Sequence, residues 1–545
     1  MERVVNRGKL GLVGAATIAL AFAGAWACSS EDAADGAGGA GGAGGTSNPD
    51  AGSPGGDAAP GGGGGAPDQD ASTDASVDTG GSTVTPDASV LDGGAPCAPM
   101  FGEDVEWPTS PTQLMQGNAE PMGVTSHGWL LYDHSGLLSA TRPDGSETVD
   151  ISSESGNLAI DGRVAFYFID ADYEIGVGDM IIWSGGTCAR HVDDTLFAAG
   201  MTAASDDGEH VLFASNVTES QFDLVAATRD LAEHQVLIAG VGRGNEQTCG
   251  SHYGFAGNRI IVGSCEPGSR DATLRVFDRE AEAWSATEVD TELYPDWSAS
   301  ASGQRIFYRS TVLEGRLWDD GSSIVIDEEV GSAVVLPDGS ALLYTVGDQL
   351  RRTELPSVVP MPLIINGFRE IAGFSPTYDR VLFSDAVEYE GGERRDLFLT
   401  GTDELNTNPM AVVDSPAARL ARSVFTDDGQ YVMYLRDVDE EGLGTLEVVP
   451  VSGAEGFAFD GVDTAQAAAA SWVLFTDNRS EPGTYPETAD LKRVDAAGDG
   501  SPELIVSGIV GGDGFVLTPG GEAVLYGIPA DANNPDAEGV WLQPL

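Results

Sequence analysis

Three carboxylates with an even spacing are the first residues in this chain that could do chemistry. Asp495, Asp499 and Glu503 fall at positions 1, 5 and 9 of Asp495-Ala-Ala-Gly-Asp499-Gly500-Ser-Pro-Glu503, with glycine at position 6. That rhythm suits a hard cation held by oxygens, calcium above all. Position 3 is Ala497, which removes one ligand. A plain acidic turn between two strands accounts for the same residues and is the reading adopted. No cofactor is therefore expected, with calcium the one candidate; Asp437-Val-Asp439-Glu440-Glu441 and Asp170-Ala-Asp172-Tyr-Glu174 make weaker cases.

Catalytic constellations are sparse. The six histidines, His127, His134, His191, His210, His234 and His252, recur at no common place in the pattern described below. No G-x-S-x-G pentapeptide is present, so a serine hydrolase domain is not expected. Cys188-Ala-Arg-His191 and Cys249-Gly-Ser-His252 are two C-x-x-H pairs, and two cysteines with two histidines are a zinc set. Zinc modules hold their pairs closer together, and disulfides are the reading preferred here. The chain is expected not to be an enzyme.

The five cysteines are Cys28, Cys97, Cys188, Cys249 and Cys265. Residues 1–28 read as an export signal: Arg3, Arg7 and Lys9 precede an uncharged apolar run from Leu10 to Ala23. It ends in Ala25-Trp26-Ala27-Cys28, which resembles a bacterial lipobox, although Ala25 stands where leucine is usual. The resemblance implies lipidation of Cys28 and an exported, lipid-anchored location, in the cell membrane or outer membrane. An oxidising compartment then makes two disulfides of the other four cysteines. A hairpin turning at Ala256-Gly257-Asn258 brings Cys249 opposite Cys265, which leaves Cys97 for Cys188.

The formal net charge is −59, and beyond Lys9 the chain has a single lysine, Lys492. Nucleic acid is bound by rows of Lys and Arg that release counterions, so this surface would repel it. Anionic lipid is disfavoured for the same reason, leaving the lipid anchor as the membrane contact. Residues 29–95 are Gly, Ala, Asp, Pro, Ser and Thr almost throughout, with eleven acidic residues and no basic one. So little apolar surface cannot offset the entropy of ordering, and a disordered tether is expected.

From about residue 96 the chain writes one phrase roughly ten times. Clear copies are Phe374-Ser375-Pro376-Thr-Tyr-Asp-Arg-Val381-Leu382-Phe383, Phe425-Thr-Asp-Asp428-Gly429-Gln-Tyr-Val432-Met433-Tyr434 and Leu517-Thr-Pro519-Gly-Gly521-Glu-Ala-Val524-Leu525-Tyr526. Asp-Gly pairs such as Asp161-Gly162, Asp207-Gly208 and Asp338-Gly339 supply the positive φ of a tight turn. The strand after the turn is apolar on both faces, as a strand sandwiched between two neighbouring sheets must be. A third strand follows, as in Asp396–Thr400, Thr445–Val449 and Asp490–Val494. The spacing averages about 44 residues, the length of a four-stranded propeller blade.

This phrase is similar to the WD-like repeat of TolB-type β-propellers, over residues 120–545. The resemblance implies an all-β chain, with four-stranded blades closed into a ring around a channel, used mostly for protein contacts. TolB-type rings usually have six blades; ten copies mean seven to ten blades or two propellers in tandem, with the short intervals at 130–164 and 306–342 as partial blades. The organisation expected is a signal at 1–28, a tether at 29–95 and a propeller at 96–545. The function expected is a non-enzymatic binding or scaffold module for a protein or cell-envelope component. The alternatives are a lyase- or glycosidase-like site in the channel mouth, or calcium-dependent adhesion.

Overall fold

A computed structural model describes residues 106–545, except 118, 173–175, 187, 197–201, 245–249, 281–282, 358, 365–369, 390–391, 404–408, 414–421, 440–441, 481–486, 511–513 and 531–536. The described residues all lie in one compact unit; a second, 27–88, falls outside them. Among the described residues every regular element is a β-strand.

The strands form ten antiparallel four-stranded blades. Blades 1 to 3 occupy 119–152, 156–196 and 202–242. Blades 4 and 5 share one long strand, Ala283–Ala299, whose first half is the fourth strand of one and whose second half is the first strand of the next. Leu293 pairs with both Ala272 and Ser310, so the two blades appear as a single seven-stranded sheet. Blades 6 to 9 follow at 330–364, 370–413, 422–462 and 464–510. Blade 10 takes three strands from 515–544 and its fourth, Thr112–Gln116, from the start of the described chain.

The ring closes through its core. Ten clusters of buried side chains lie one at each blade junction, and the last joins Ala523, Leu525, Val540 and Leu542 of blade 10 to Ala119, Leu130 and Tyr132 of blade 1. The second strand of each blade shows why an isolated blade would not be stable. In Ala341–Val346, Leu342 and Tyr344 pack toward blade 5, and Ala341 and Leu343 toward blade 7. Only stacked sheets remove both faces from water. The apolar strands that the phrase places from Trp129, Val164, Val211, Ile260, Ile306, Leu342, Val381, Val432, Val473 and Val524 are these ten second strands, Leu130–His134 to Ala523–Ile528. The intervals read as partial blades are complete ones, blades 1 and 5; the spacing is short because the link between blades 1 and 2 is 153–155 and that between blades 5 and 6 is 328–329.

First strands touch first strands across blade junctions, for example Ala119–Val124 with Gly156–Asp161 and with Phe515–Leu517. They therefore line the axis, and fourth strands form the rim. Turns between first and second strands all fall at one end of the ring, the turn end; loops between second and third strands fall at the other, the loop end.

The turn end is built from one repeated staple. Ser205 Oγ donates to Asp207 Oδ1 at 2.6 Å, Glu209 N–H donates to the same oxygen, and Gly208 sits at φ 69°. Thr426, Asp428 and Gly429 repeat it in blade 8. Hydrogen bonds also weld neighbours together. Asp327, ending blade 5, accepts from Tyr344 Oη (3.1 Å) and Arg351 (2.6 Å) of blade 6, and Asp290 of blade 4 does the same for Tyr308 and Arg316 of blade 5.

Candidate metal centre and the two ends of the ring

Among the described residues one group of side chains converges as metal ligands do: Asp179, His191 and Asp193, whose ligand atoms lie within 4.8 Å of one another. Asp179 is on the third strand of blade 2, Val177–Trp183; His191 and Asp193 are on the fourth, Ala189–Leu196. Alternation along a strand puts His191 and Asp193 on one face, and hairpin pairing brings Asp179 alongside. A bulge sets the detail. Asp194 takes φ 51° and donates its N–H to Asp179 Oδ1 at 3.2 Å, while Asp179 Oδ2 lies 3.9 Å from His191 Nε2. His191 Nδ1 lies 3.1 Å from Asp193 Oδ1. One imidazole and two carboxylates suit a borderline divalent cation completed by water. The group stands at the rim, half exposed, and without a cation the same contact is an imidazole–carboxylate hydrogen bond.

The sequence reading did not find this trio. Its signal is His191-Val-Asp193 on a strand, twelve residues after Asp179 on the hairpin partner. The C-x-x-H reading pointed to His191 with the wrong companion: Cys188 is buried and disulfide-bonded, so its sulfur is no thiolate ligand. Cys265 is disulfide-bonded as well, at the end of strand Arg259–Cys265. That strand pairs with His252–Ala256 across the foreseen turn, with His252 opposite Gly263. Cys97 and Cys249 lie outside the described residues, as do Cys28, the signal and the tether.

The candidate calcium loop is a turn between the third and fourth strands of blade 9. Asp495 Oδ1 accepts from Ser471 Oγ (2.6 Å) and from the Ala497 N–H (2.9 Å). Asp499 accepts from the Ser501 N–H at 2.9 Å, which holds its carboxyl below the usual range. Glu503 is 2.9 Å from Arg493. Each carboxylate has a local partner, and the three are not brought together. Of the weaker runs, Glu174, Glu440 and Glu441 lie outside the described residues, as does the side chain of Asp170.

The loop end differs from the turn end in one respect that matters for binding. In the turn Ser310–Glu314 of blade 5, Leu313 occupies the left-handed region at φ 64°, and its side chain is 40% exposed. Beside it Val312 is 72% exposed, and Tyr294, under the Arg309 guanidinium at 4.9 Å, is 37% exposed. Blades 3, 8 and 9 also enter the left-handed region in their second-to-third loops, at the first residue after the second strand rather than the third, and they do so with Asn216, Asp437 and Asn478. Those short polar side chains tolerate it; a leucine there costs about 1–2 kcal/mol.

No protein-family model matches the chain, and no curated protein is detectably similar to it in sequence. Solved structures do resemble it. The β-propeller domain of the Trilobed protease from Pyrococcus furiosus shares 13% identity at a TM-score of 0.31, covering 65% of this chain and 96% of that one. Porphyromonas gingivalis dipeptidyl peptidase 4 shares 10% at 0.40, covering 73% and 60%. An oligogalacturonate lyase in complex with manganese shares 14% at 0.31, covering 63% and 98%. The likeness is one of fold, and the chain is a β-propeller. It also corrects the expectation that the chain is not an enzyme. Propellers similar to this one include peptidases and a lyase, so the fold does not exclude catalysis.

Proposed function

We propose that this chain is an exported, lipid-anchored β-propeller of the TolB-like kind that binds a protein partner, or another cell-envelope component, through the loop end of blade 5. The observation that carries the reading is Leu313. A bulky apolar residue is kept in a costly backbone region and half exposed, where sister blades use asparagine or aspartate. Strain of this kind concentrates at functional sites. Val312 and Tyr294 extend the apolar surface, and Glu292, Glu314 and Glu329 adjoin it, since Thr311 N–H donates to Glu292 O and Val330 N–H to Leu313 O. An apolar patch rimmed by carboxylates suits a partner whose apolar contact is ringed by Arg or Lys.

The export and anchoring part of the reading is supported by the basic and apolar run of residues 3–23 and by Cys28; the TolB-like part is supported by the Phe374-Ser375-Pro376 phrase and its copies. A photo-crosslinking amino acid placed at 312, and separately at 428 on the turn end, tests the binding face in cells making the full chain. A discrete adduct from 312 and none from 428 is expected. Adducts from 428 alone, or from neither position, would overturn the reading.

A further inference from the structure

Arginines in this acidic chain are mostly held by carboxylates: Arg259 by Asp278 at 2.8 Å, Arg351 by Asp327 at 2.6 Å, Arg436 by Glu447 at 2.6 Å. Arg142 and Arg163 break the pattern. Neither has a carboxylate within 4.0 Å among the described residues, although the chain holds 86 acidic residues against 27 basic ones. The Arg142 guanidinium lies over Trp129, its carbon 4.3 Å from the ring centroid, and donates to the His127 carbonyl at 3.4 Å. Arg163 donates to the Asp207 carbonyl at 3.4 Å. The turn that carries Arg163 is joined to the one that carries His127, because Ser126 N–H donates to Gly162 O at 2.8 Å, and Arg142 reaches that second turn through the His127 carbonyl.

Two more groups complete the cluster at the turn end. Arg229 of blade 3, its side chain 5% exposed, is set by Ser184 Oγ and by Glu209, both at 3.3 Å. His127 has its Nε2 buried without a hydrogen-bond partner. The charges acting on that imidazole are Arg163, Arg142 and Arg229, with no carboxylate among them. Burial first, and those three guanidiniums second, push its pKa down to about 4, so it is neutral at ordinary pH. Four of the acidic side chains nearby are engaged: Asp161 with the Ala204 N–H, Asp207 with Ser205, Asp144 with the Ser146 N–H and Glu209 with Arg229; Glu147 and Asp206 stand beside them.

We propose that the turn end of blades 1 to 3 binds the phosphoryl group of a soluble ligand, clamped by Arg142 and Arg163, with Arg229 behind them and His127 facing it. The charge count selects the ligand class. Glu209 pairs with Arg229, while Asp144 and Asp207 act on Arg142 and Arg163 only from beyond ion-pair distance, so two guanidiniums stay open to a ligand, and a phosphate monoester carries about −1.5 to −2 near neutral pH. Planar guanidinium forks match its oxygens in pairs. A monocarboxylate would leave one positive charge unanswered. A lipid phosphate is disfavoured because a chain at −59 is repelled by an anionic bilayer. The site is at the opposite end of the ring from Leu313.

The test uses the full chain and two probes, inorganic phosphate and glycerol phosphate, titrated by calorimetry at constant ionic strength against acetate and chloride. The histidine C2–H resonances are followed in parallel, with His127→Gln identifying that of residue 127. Saturable phosphate binding that moves the His127 resonance is expected, weakened about tenfold or more in Arg163→Gln by loss of a charged hydrogen bond and unchanged in Arg352→Gln, an ion-paired arginine at the same end. Arg163 is chosen over Arg142 because it covers no tryptophan. Equal binding of acetate, no saturable binding, equal affinity in Arg163→Gln, or binding only to phosphatidic acid vesicles would each overturn the proposal.

Discussion

Thr112 pairs with Leu542 across an antiparallel ladder, so the start and end of the described chain share one blade. The next positions continue the register, Gln113 opposite Trp541. This ladder, continued by the Gly117 N–H to Glu538 O bond, ties the two ends of the ring, and the buried cluster around Leu542 and Leu130 reinforces it. Opposed positions in such a ladder lie about 4.5–5.5 Å apart, within disulfide reach. Gln113→Cys with Trp541→Cys should form a cross-link in the oxidised protein, seen as a mass loss and a mobility change reversed by reductant. A pair that stays reduced under conditions that oxidise Cys188 and Cys265 would mean the ring is not closed this way.

The welds between blades carry a measurable share of stability. Asp327→Ala leaves the Tyr344 hydroxyl and the Arg351 guanidinium without their shared acceptor. Charged hydrogen bonds at this partly exposed site are worth about 1.5–3 kcal/mol together with the lost pairing. Denaturant unfolding should show a loss in that range, and Tyr344→Phe a smaller one. No change in Asp327→Ala would place the junction's stability wholly in its apolar cluster of Phe307, Leu317 and Leu342.

Histidine burial sets an acid response. His252 is stacked on Trp297 at 4.9 Å, and desolvation lowers its pKa against the opposing pull of Asp296. Desolvation lowers His210 too, with Arg279 adding to it and Asp207 opposing. Together with His127, these groups stay neutral in the folded chain at a pH where the unfolded chain takes up protons. Stability is therefore full above about pH 6.5 and falls as pH drops toward 4. Below that, turn aspartates held under their ordinary range by hydrogen bonds, such as Asp379 by Thr377 and Ser375, add a further loss as they protonate. His252→Phe keeps the stacking and removes one proton site. Its unfolding midpoint should change less between pH 7 and 5 than that of the parent; an equal change would contradict the assignment.

At the blade 9 turn, engaged carboxylates leave little for a cation. Millimolar calcium should shift the thermal midpoints of the parent and of Asp499→Ala by the same amount. A shift abolished by that substitution would show that Asp499 serves a bound ion rather than the Ser501 N–H.

The architecture was legible because each blade repeats a local device. A turn of the Asp207-Gly208 kind and an apolar second strand like Val211–Phe213 are set by near neighbours, and all ten second strands fell where the pattern put them. Blade count was not legible, because closure depends on a pairing between Thr112 and Leu542 that no local phrase encodes. Tyr378 and Ala470 show the limit of the turn signal: both take positive φ where the phrase elsewhere places glycine. The Asp179–His191–Asp193 trio and the Arg142–Arg163–His127 cluster were missed for one reason. Each joins residues from adjacent strands or blades, and spacing along the chain does not reveal that adjacency.

The most direct test of the binding account is Leu313→Asn, read for stability and for partner contact in the same chain. Asparagine is what blades 3 and 9 use in the left-handed region, and relief of strain offsets the loss of a half-exposed side chain. The account predicts an unfolding midpoint that holds or rises, while cross-linking from position 312 drops severalfold. A midpoint that falls while cross-linking persists would contradict it, and would make Leu313 a packing residue rather than a contact held ready for a partner.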